Sequence, residues 1–539
     1  MFVQFTAYIS LYKKNEHLRR QGRKMSKFVK GTIILLAAGM MTRILGFINR
    51  VVIARSIGEE GVGLYMMTYP AFILAVTIIQ LGIPVAVSKR IAEAEALGEH
   101  RKIKKIFALS LFITLALSFL VTPVLYFGAP YLTEALFTDE RALYPLQTIA
   151  PVLPIVAASS VIRGYFQGKQ NMLPSALSQL IEQLVRIFLL LALTRLFVPY
   201  GPEYAASAAM LAIIGGEFLS CLYLAGLFKI KKAFQLRKNF FRSLKNSRAE
   251  FRELMAIALP ATGSRLIGSV SWFIEPIVVT QSLALAGVSA VAATKQYGIL
   301  TGLALPLLLL PSFITAALST SLVPAISEAA SLKNYYLAEY RIQQALKFCL
   351  ITGAASVVII FTLAEPLMAI LYRSTSGTIF IQIMAPLFLF QYFQGPLLAT
   401  LQALDAARAA MVNSLIGAVA KTVLIFLLAS RPNIGINGVA LAMATGTVLV
   451  TLLHLATILK IIPLSINLRF YGKVASLAVA AGIFGHLAYP YFLGETTPLF
   501  AILLSIAAIA AAYIFLLLAT KTVYLKELTG WFRNFFFRH

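Results

Sequence analysis

Charge is scarce in this chain. Asp, Glu, Lys and Arg supply 13% of its 539 residues, about half their share in a typical soluble domain. The polar shell of a water-soluble globule is therefore missing. Cysteine is rarer still: Cys221 and Cys349 stand far apart in apolar stretches. That excludes a disulfide framework and makes no metal site, so both read as small buried hydrophobes. The five histidines show no metal-ligand spacing. A glycine-rich phosphate loop, a nucleophile elbow and a paired-carboxylate motif are also absent. The chain is accordingly not expected to be an enzyme, or to hold a metal or cofactor.

What is abundant is apolar surface. Hydrophobic residues make up 59% of the chain and mean hydropathy is +0.83. Apolar runs of about 20 residues, long enough to cross a bilayer as helices, recur fourteen times: 31–54, 62–87, 106–128, 144–165, 174–198, 204–228, 255–282, 295–322, 343–371, 378–403, 410–429, 434–459, 471–492 and 498–520. Pro306 and Pro311 interrupt the run at 295–322. The pattern is that of an all-α polytopic membrane protein.

Acidic residues number 21 against 47 Lys and Arg, and the imbalance is not spread evenly. Basic clusters precede the first run (Lys13 to Lys30), follow the second (Lys89 to Lys105) and the sixth (Lys229 to Arg252), and reappear in the tail (Lys521 to Arg538). The intervening connections carry Glu59, Glu60, Glu134, Asp139, Glu140, Glu203 and Glu495 with few bases. This positive-inside asymmetry, with an even number of runs, predicts a multi-pass protein of the cell membrane with both termini cytoplasmic. The basic loops suit anionic headgroups, so the excess charge does not point to nucleic acid. No cleavable signal is expected, because the first run is full length and basic on its flank. Residues 1–24 look appended ahead of Met25-Ser26-Lys27, either as a surface helix or, the favoured reading, from a mis-chosen start codon.

The chain also repeats itself. Thr42-Arg43-Ile44-Leu45-Gly46 matches Ser264-Arg265-Leu266-Ile267-Gly268, an offset of 222. Ile149-Ala150-Pro151 matches Met384-Ala385-Pro386, Gln167 meets Gln402 and Arg186 meets Lys421, all at an offset of 235. Six runs per unit make the repeats parallel, which predicts two six-helix lobes about a pseudo-two-fold axis along the membrane normal, with a ligand site between them. The predicted organisation is a basic segment 1–30, an N-lobe 31–228, a basic linker 229–254, a C-lobe 255–460, two further helices in 461–520, and a tail 521–539.

Buried charges are the candidate functional residues. An arginine at membrane depth costs roughly 2.5–3.5 kcal/mol on insertion scales and normally faces a partner or a watery cavity. Arg43 and Arg265, at repeated positions, are expected to face a central cationic chamber suited to an anionic substrate. Arg50 returns near the Arg43 face seven residues on, or snorkels to the interface. Glu182 and Arg186 form an i,i+4 pair, either self-contained or touching substrate. The repeat mate of Arg186, Lys421, has Gly417 at i−4 and is expected to be an unpaired cation. Glu217 and Glu275 are isolated carboxylates: candidates for proton or sodium coupling, or counter-ions to the arginines.

The segments 42–55 and 30–40, with Ile57-Gly58-Glu59-Glu60-Gly61-Val62-Gly63-Leu64-Tyr65 and Pro84-Val85-Ala86-Val87-Ser88-Lys89, resemble the multidrug/oligosaccharidyl-lipid/polysaccharide exporter superfamily. The resemblance runs from Met25 to the C-terminus and is to the lipid II flippase branch, closest to its sporulation members. It implies that Arg43 and Arg265 line a cavity for a lipid-linked sugar pyrophosphate. Where the branch usually has a second arginine, this chain has Asn49, and Arg50 lies about 100° further around the helix. The branch's second-helix carboxylate is absent, with Gly63-Leu64-Tyr65 in its place.

The expected function is a flippase carrying an undecaprenyl-pyrophosphate-linked glycan, a peptidoglycan precursor such as lipid II, across the membrane by alternating access. Its context would be the spore cortex and its drive a proton, sodium ions or the membrane potential. Partners would be membrane lipids, the anionic substrate and cell-wall synthesis proteins. The alternatives are a cation-coupled multidrug exporter of the same fold, whose cationic substrates favour an acidic cavity, and a glycan polymerase or ligase, which needs a larger outer loop.

Overall fold

The computed structural model describes residues 2–231, 247–465 and 467–524, and side chains from Gly39 onward apart from Lys231 and Ser264. The side chains of the basic segment 1–30, residues 232–246 of the predicted linker and residues 525–539 of the tail lie outside this description. All fourteen apolar runs fall on helical backbone.

The first half holds α1 (Phe2–Gln80), α2 (Ile83–Ala96), α3 (His100–Ala135), α4 (Leu143–Ile149), α5 (Leu153–Gly168), α6 (Leu173–Phe197) and α7 (Pro202–Lys231). The second begins with α8 (Arg248–Leu285), α9 (Ala290–Gly298), a π-helical stretch (Ile299–Ala304), α10 (Leu305–Leu309) and α11 (Ser312–Ser331). It continues through α12 (Tyr335–Thr362), α13 (Ala364–Tyr372), α14 (Thr378–Phe388), α15 (Gln391–Ala403), α16 (Ala407–Ala429) and α17 (Ile436–Ile461). Two helices follow, α18 (Leu468–Glu495) and α19 (Pro498–Ala519).

Eleven helices among the described residues are long and apolar enough to cross a membrane. The figure falls below fourteen partly because adjoining runs fuse and others break. α1 carries the first run and most of the second, turning at Gly58 with φ 71° and ψ 173°, a conformation essentially confined to glycine. The run at 295–322 is interrupted as its prolines predict, Pro306 opening α10 and Pro311 preceding α11. The run at 378–403 is split between α14 and α15.

The internal repeat is legible in the packing. In the first half α1 packs on α6, α6 on α7, α2 on α5 and α3 on α5. In the second half α8 packs on α16, α16 on α17, α11 on α15 and α12 on α15. Small residues permit the close α6–α7 and α16–α17 contacts: Ala205, Ala206, Ala208, Ala209 and Ala212 are buried on α7, and Gly438, Ala440, Ala442, Ala444 and Gly446 on α17. α18 and α19 pack on each other and on α12. The halves meet where α1 lies against α8 and α9 and where α2 lies against α8.

Candidate cationic cavity

Between the halves lies a cavity of about 860 Å³. α1 contributes Arg43, Gly46, Asn49 and Arg50, then Tyr65 and Tyr69 beyond its turn. α6 adds Gln183 and Arg186, α8 adds Trp272 and Glu275, and α16 adds Lys421. Four cations and one carboxylate therefore line it.

The cations differ in their company. Arg186 pairs with Glu182 at 2.6 Å, as the i,i+4 spacing predicts. Glu182 also faces Arg163 at 3.5 Å, and Arg163 pairs with Glu217 at 2.8 Å. Ser159 donates to Glu217 as well. Lys421 pairs with Glu275, which also accepts a hydrogen bond from Tyr297 Oη at 3.5 Å. Both carboxylates are about 95% buried, where an unpaired charge costs several kcal/mol. Arg43 is exposed and Arg50 half-buried; among the described residues neither has an ion pair or a side-chain hydrogen bond.

One end of the cavity is shut. Arg141 bridges Glu60 and Asp139, and Asp139 accepts from Thr294 of α9 at 2.9 Å. Lys295 meets Glu59 at 3.2 Å, and Ser374 donates to Glu59. The Arg55 guanidinium donates to the Leu371 carbonyl at 2.7 Å. Every one of these links except Arg141's joins the first half of the chain to the second. Backbone contact completes the seal: a Cβ on Gly298 would stand 2.4 Å from the Gly63 nitrogen. Glycine at both positions permits that approach. At the other end, a Cβ on Gly46 would meet nothing within 4 Å.

Two expectations need correction. Arg265 is exposed and does not line the cavity. It lies seven residues before Trp272, near the same helix face but about 10.5 Å along the axis, and the lining of α8 begins at Trp272. Lys421 is not an unpaired cation. Its counter-ion, Glu275, comes from a different helix instead of from i−4. Arg50, whose face was in question, does line the cavity. Glu217 is a counter-ion to Arg163, a residue that sequence reasoning passed over although it stands as a lone charge within the run at 144–165. Gln183 and the aromatic residues were also missed, because neutral side chains in apolar helices carry no such mark.

A bundle of paired helical repeats around a cavity between its halves is the architecture of a multi-pass membrane protein of the transporter class. The chain belongs to the polysaccharide biosynthesis protein family, whose pattern matches residues 28–330. It is 56% identical over 501 residues to stage V sporulation protein B of Bacillus subtilis, covering 93% of this chain and 97% of that protein. It is 27% identical to the lipid II flippase MurJ of the same organism over 74% of this chain and 77% of that one. Its fold is like that of a lipid II flippase MurJ in an inward closed conformation, with TM-score 0.66 and 17% identity, covering 90% of this chain and 98% of that one.

Proposed function

We propose that the protein is a flippase that carries a polyprenyl-pyrophosphate-linked glycan, a peptidoglycan precursor of the lipid II type, to the outer leaflet for spore cortex synthesis. The carrying observation is the cavity between the halves, with Arg43 and Arg50 in its wall and no ion pair to either among the described residues. A pyrophosphate leaving water needs compensating charge, and guanidinium forks meet phosphate oxygens in a bidentate way. One relative is named a lipid II flippase, and another is named for sporulation.

Both termini are cytoplasmic in this reading, so the sealed end at Glu59, Glu60 and Asp139 faces outward and the Arg43 end faces the cytoplasm. The structure then stands ready to load from the inner leaflet. The predicted lobes rock about the bound headgroup while the lipid tail stays in the bilayer. No cofactor takes part; a proton, sodium ions or the membrane potential drives the cycle. A drug exporter of the same fold fits less well, because a wall with four cations and one carboxylate repels a cationic drug. Replacing a depleted endogenous lipid II flippase by this chain tests the reading. Restored growth supports it, and lysis at normal membrane abundance refutes it.

A further inference from the structure

Part of the cavity wall is polar but uncharged. Asn49, about 95% buried, and Gln183 both line it, and the carbonyl oxygen of each is shut from solvent without a hydrogen-bond partner among the described residues. A buried acceptor without a donor is costly. Both oxygens point away from the open cavity as they stand; turned toward it, each carbonyl would meet O–H or N–H groups and not phosphate oxygens, which also accept. The ligand complementary to such turned amides brings O–H or N–H groups.

Beside these amides runs an aromatic wall that crosses between the halves. Tyr65 and Tyr69 stack with centroids 5.4 Å apart, and Tyr69 meets the edge of Trp272 at 5.8 Å. All three rings line the cavity. Flat apolar faces next to two amide side chains suit a ring whose faces are C–H and whose rim is hydroxyl and amide. That describes a pyranose bearing an acetamido group.

We propose that Asn49, Gln183 and the Tyr65–Tyr69–Trp272 wall form a glycan subsite, distinct in chemistry from the arginines, which recognises the first sugar of the lipid-linked substrate. A turn of each terminal amide presents its carbonyl to a hydroxyl or to an acetamido N–H, while a sugar face lies on the rings. The proposal rests on the cavity's reading as a pyrophosphate site and adds to it a reason for selecting glycosylated over bare lipid pyrophosphate.

The test compares two probes on the purified full chain in detergent: a short prenyl pyrophosphate, and the same molecule bearing one N-acetylglucosaminyl group. Wild type should bind the glycosylated probe about tenfold or more tighter, the worth of one or two hydrogen bonds. Asn49→Leu/Gln183→Leu should lose this increment while keeping its affinity for the bare probe, which also shows that the variant is folded. Trp531→Phe leaves Trp272 as the sole tryptophan, and its emission should shift with the glycosylated probe alone. This readout stands whether or not the double variant folds. Equal affinity of wild type for both probes, or an increment that survives Asn49→Leu/Gln183→Leu, overturns the glycan subsite and leaves the pyrophosphate reading intact. Binding of neither probe overturns both.

Discussion

Lys421 on α16 and Glu275 on α8 form an ion pair that lines the cavity, although 146 residues separate them in the chain. In the first half the corresponding helix, α6, pairs its cation with Glu182 from its own preceding turn. The two halves thus neutralise a repeated cation by different means. Removing one partner of a buried pair strands the other, at a cost of about 3–5 kcal/mol. Lys421→Met and Glu275→Gln should each lower the thermal midpoint of the purified protein by several degrees. The double variant should recover most of that loss. Equal melting of all four proteins would show the pair to be energetically idle.

Arg163 holds two carboxylates, Glu182 and Glu217. Arg163→Leu should therefore destabilise the protein by about 3–5 kcal/mol, and Glu217→Gln in the same background should restore part of it. Since Glu217 already has a cation and Ser159 as partners, Glu217→Gln alone should leave any sodium or pH dependence of transport unchanged. Loss of that dependence would make Glu217 a coupling site.

The sealed end should loosen when Arg141, which holds Asp139 beside Thr294 of the other half, is removed. Arg141 holds Glu60 and Asp139 together, and a charged hydrogen bond is worth about 1.5–3 kcal/mol. In a protein lacking Cys221 and Cys349, Thr301→Cys should be labelled by an impermeant outside reagent about tenfold faster or more once Arg141→Ala is added. An unchanged rate would mean that the links across the halves at Thr294, Lys295, Ser374 and Arg55, with the Gly63–Gly298 contact, keep the end shut without Arg141.

The same seal carries a pH signature. Burial by itself would raise the Asp139 carboxyl, but hydrogen bonds from Arg141 and Thr294 hold it below the ordinary range. Its folded value is then lower than its unfolded value of about 3.9. Its contribution is complete above the unfolded value and is lost as pH falls through the folded one. Outside labelling of Thr301→Cys should stay slow from about pH 7 to 5 and rise only below about pH 4, and Asp139→Asn should abolish that step. A rise near neutral pH would assign the titration to another group.

Much of this was legible in the chain. Apolar runs mark helices because a bilayer demands them, and a charge within such a run marks Arg43 and Arg186. Glu182 was readable as the partner of Arg186 because the pair is local. The Lys421–Glu275 and Arg163–Glu217 pairs were not, since helix packing brings their members together. Arg265 shows a different limit: a repeated motif gives the helix face and not the depth at which the cavity begins. The lining by Asn49 and Gln183 had no charge to announce it.

The central claim is that Arg43 and Arg50 in the cavity carry the anionic headgroup. The direct measurement is the flipping rate of a fluorescent polyprenyl-pyrophosphate glycan in vesicles reconstituted with equal amounts of wild type and Arg43→Ala/Arg50→Ala. Truncating a charged partner commonly costs 2–5 kcal/mol, so the rate should fall by roughly thirty- to several-thousand-fold. Lysine at both positions should restore it only in part, because the charge returns without the bidentate fork. Wild-type flipping by Arg43→Ala/Arg50→Ala would contradict the claim and make these arginines structural.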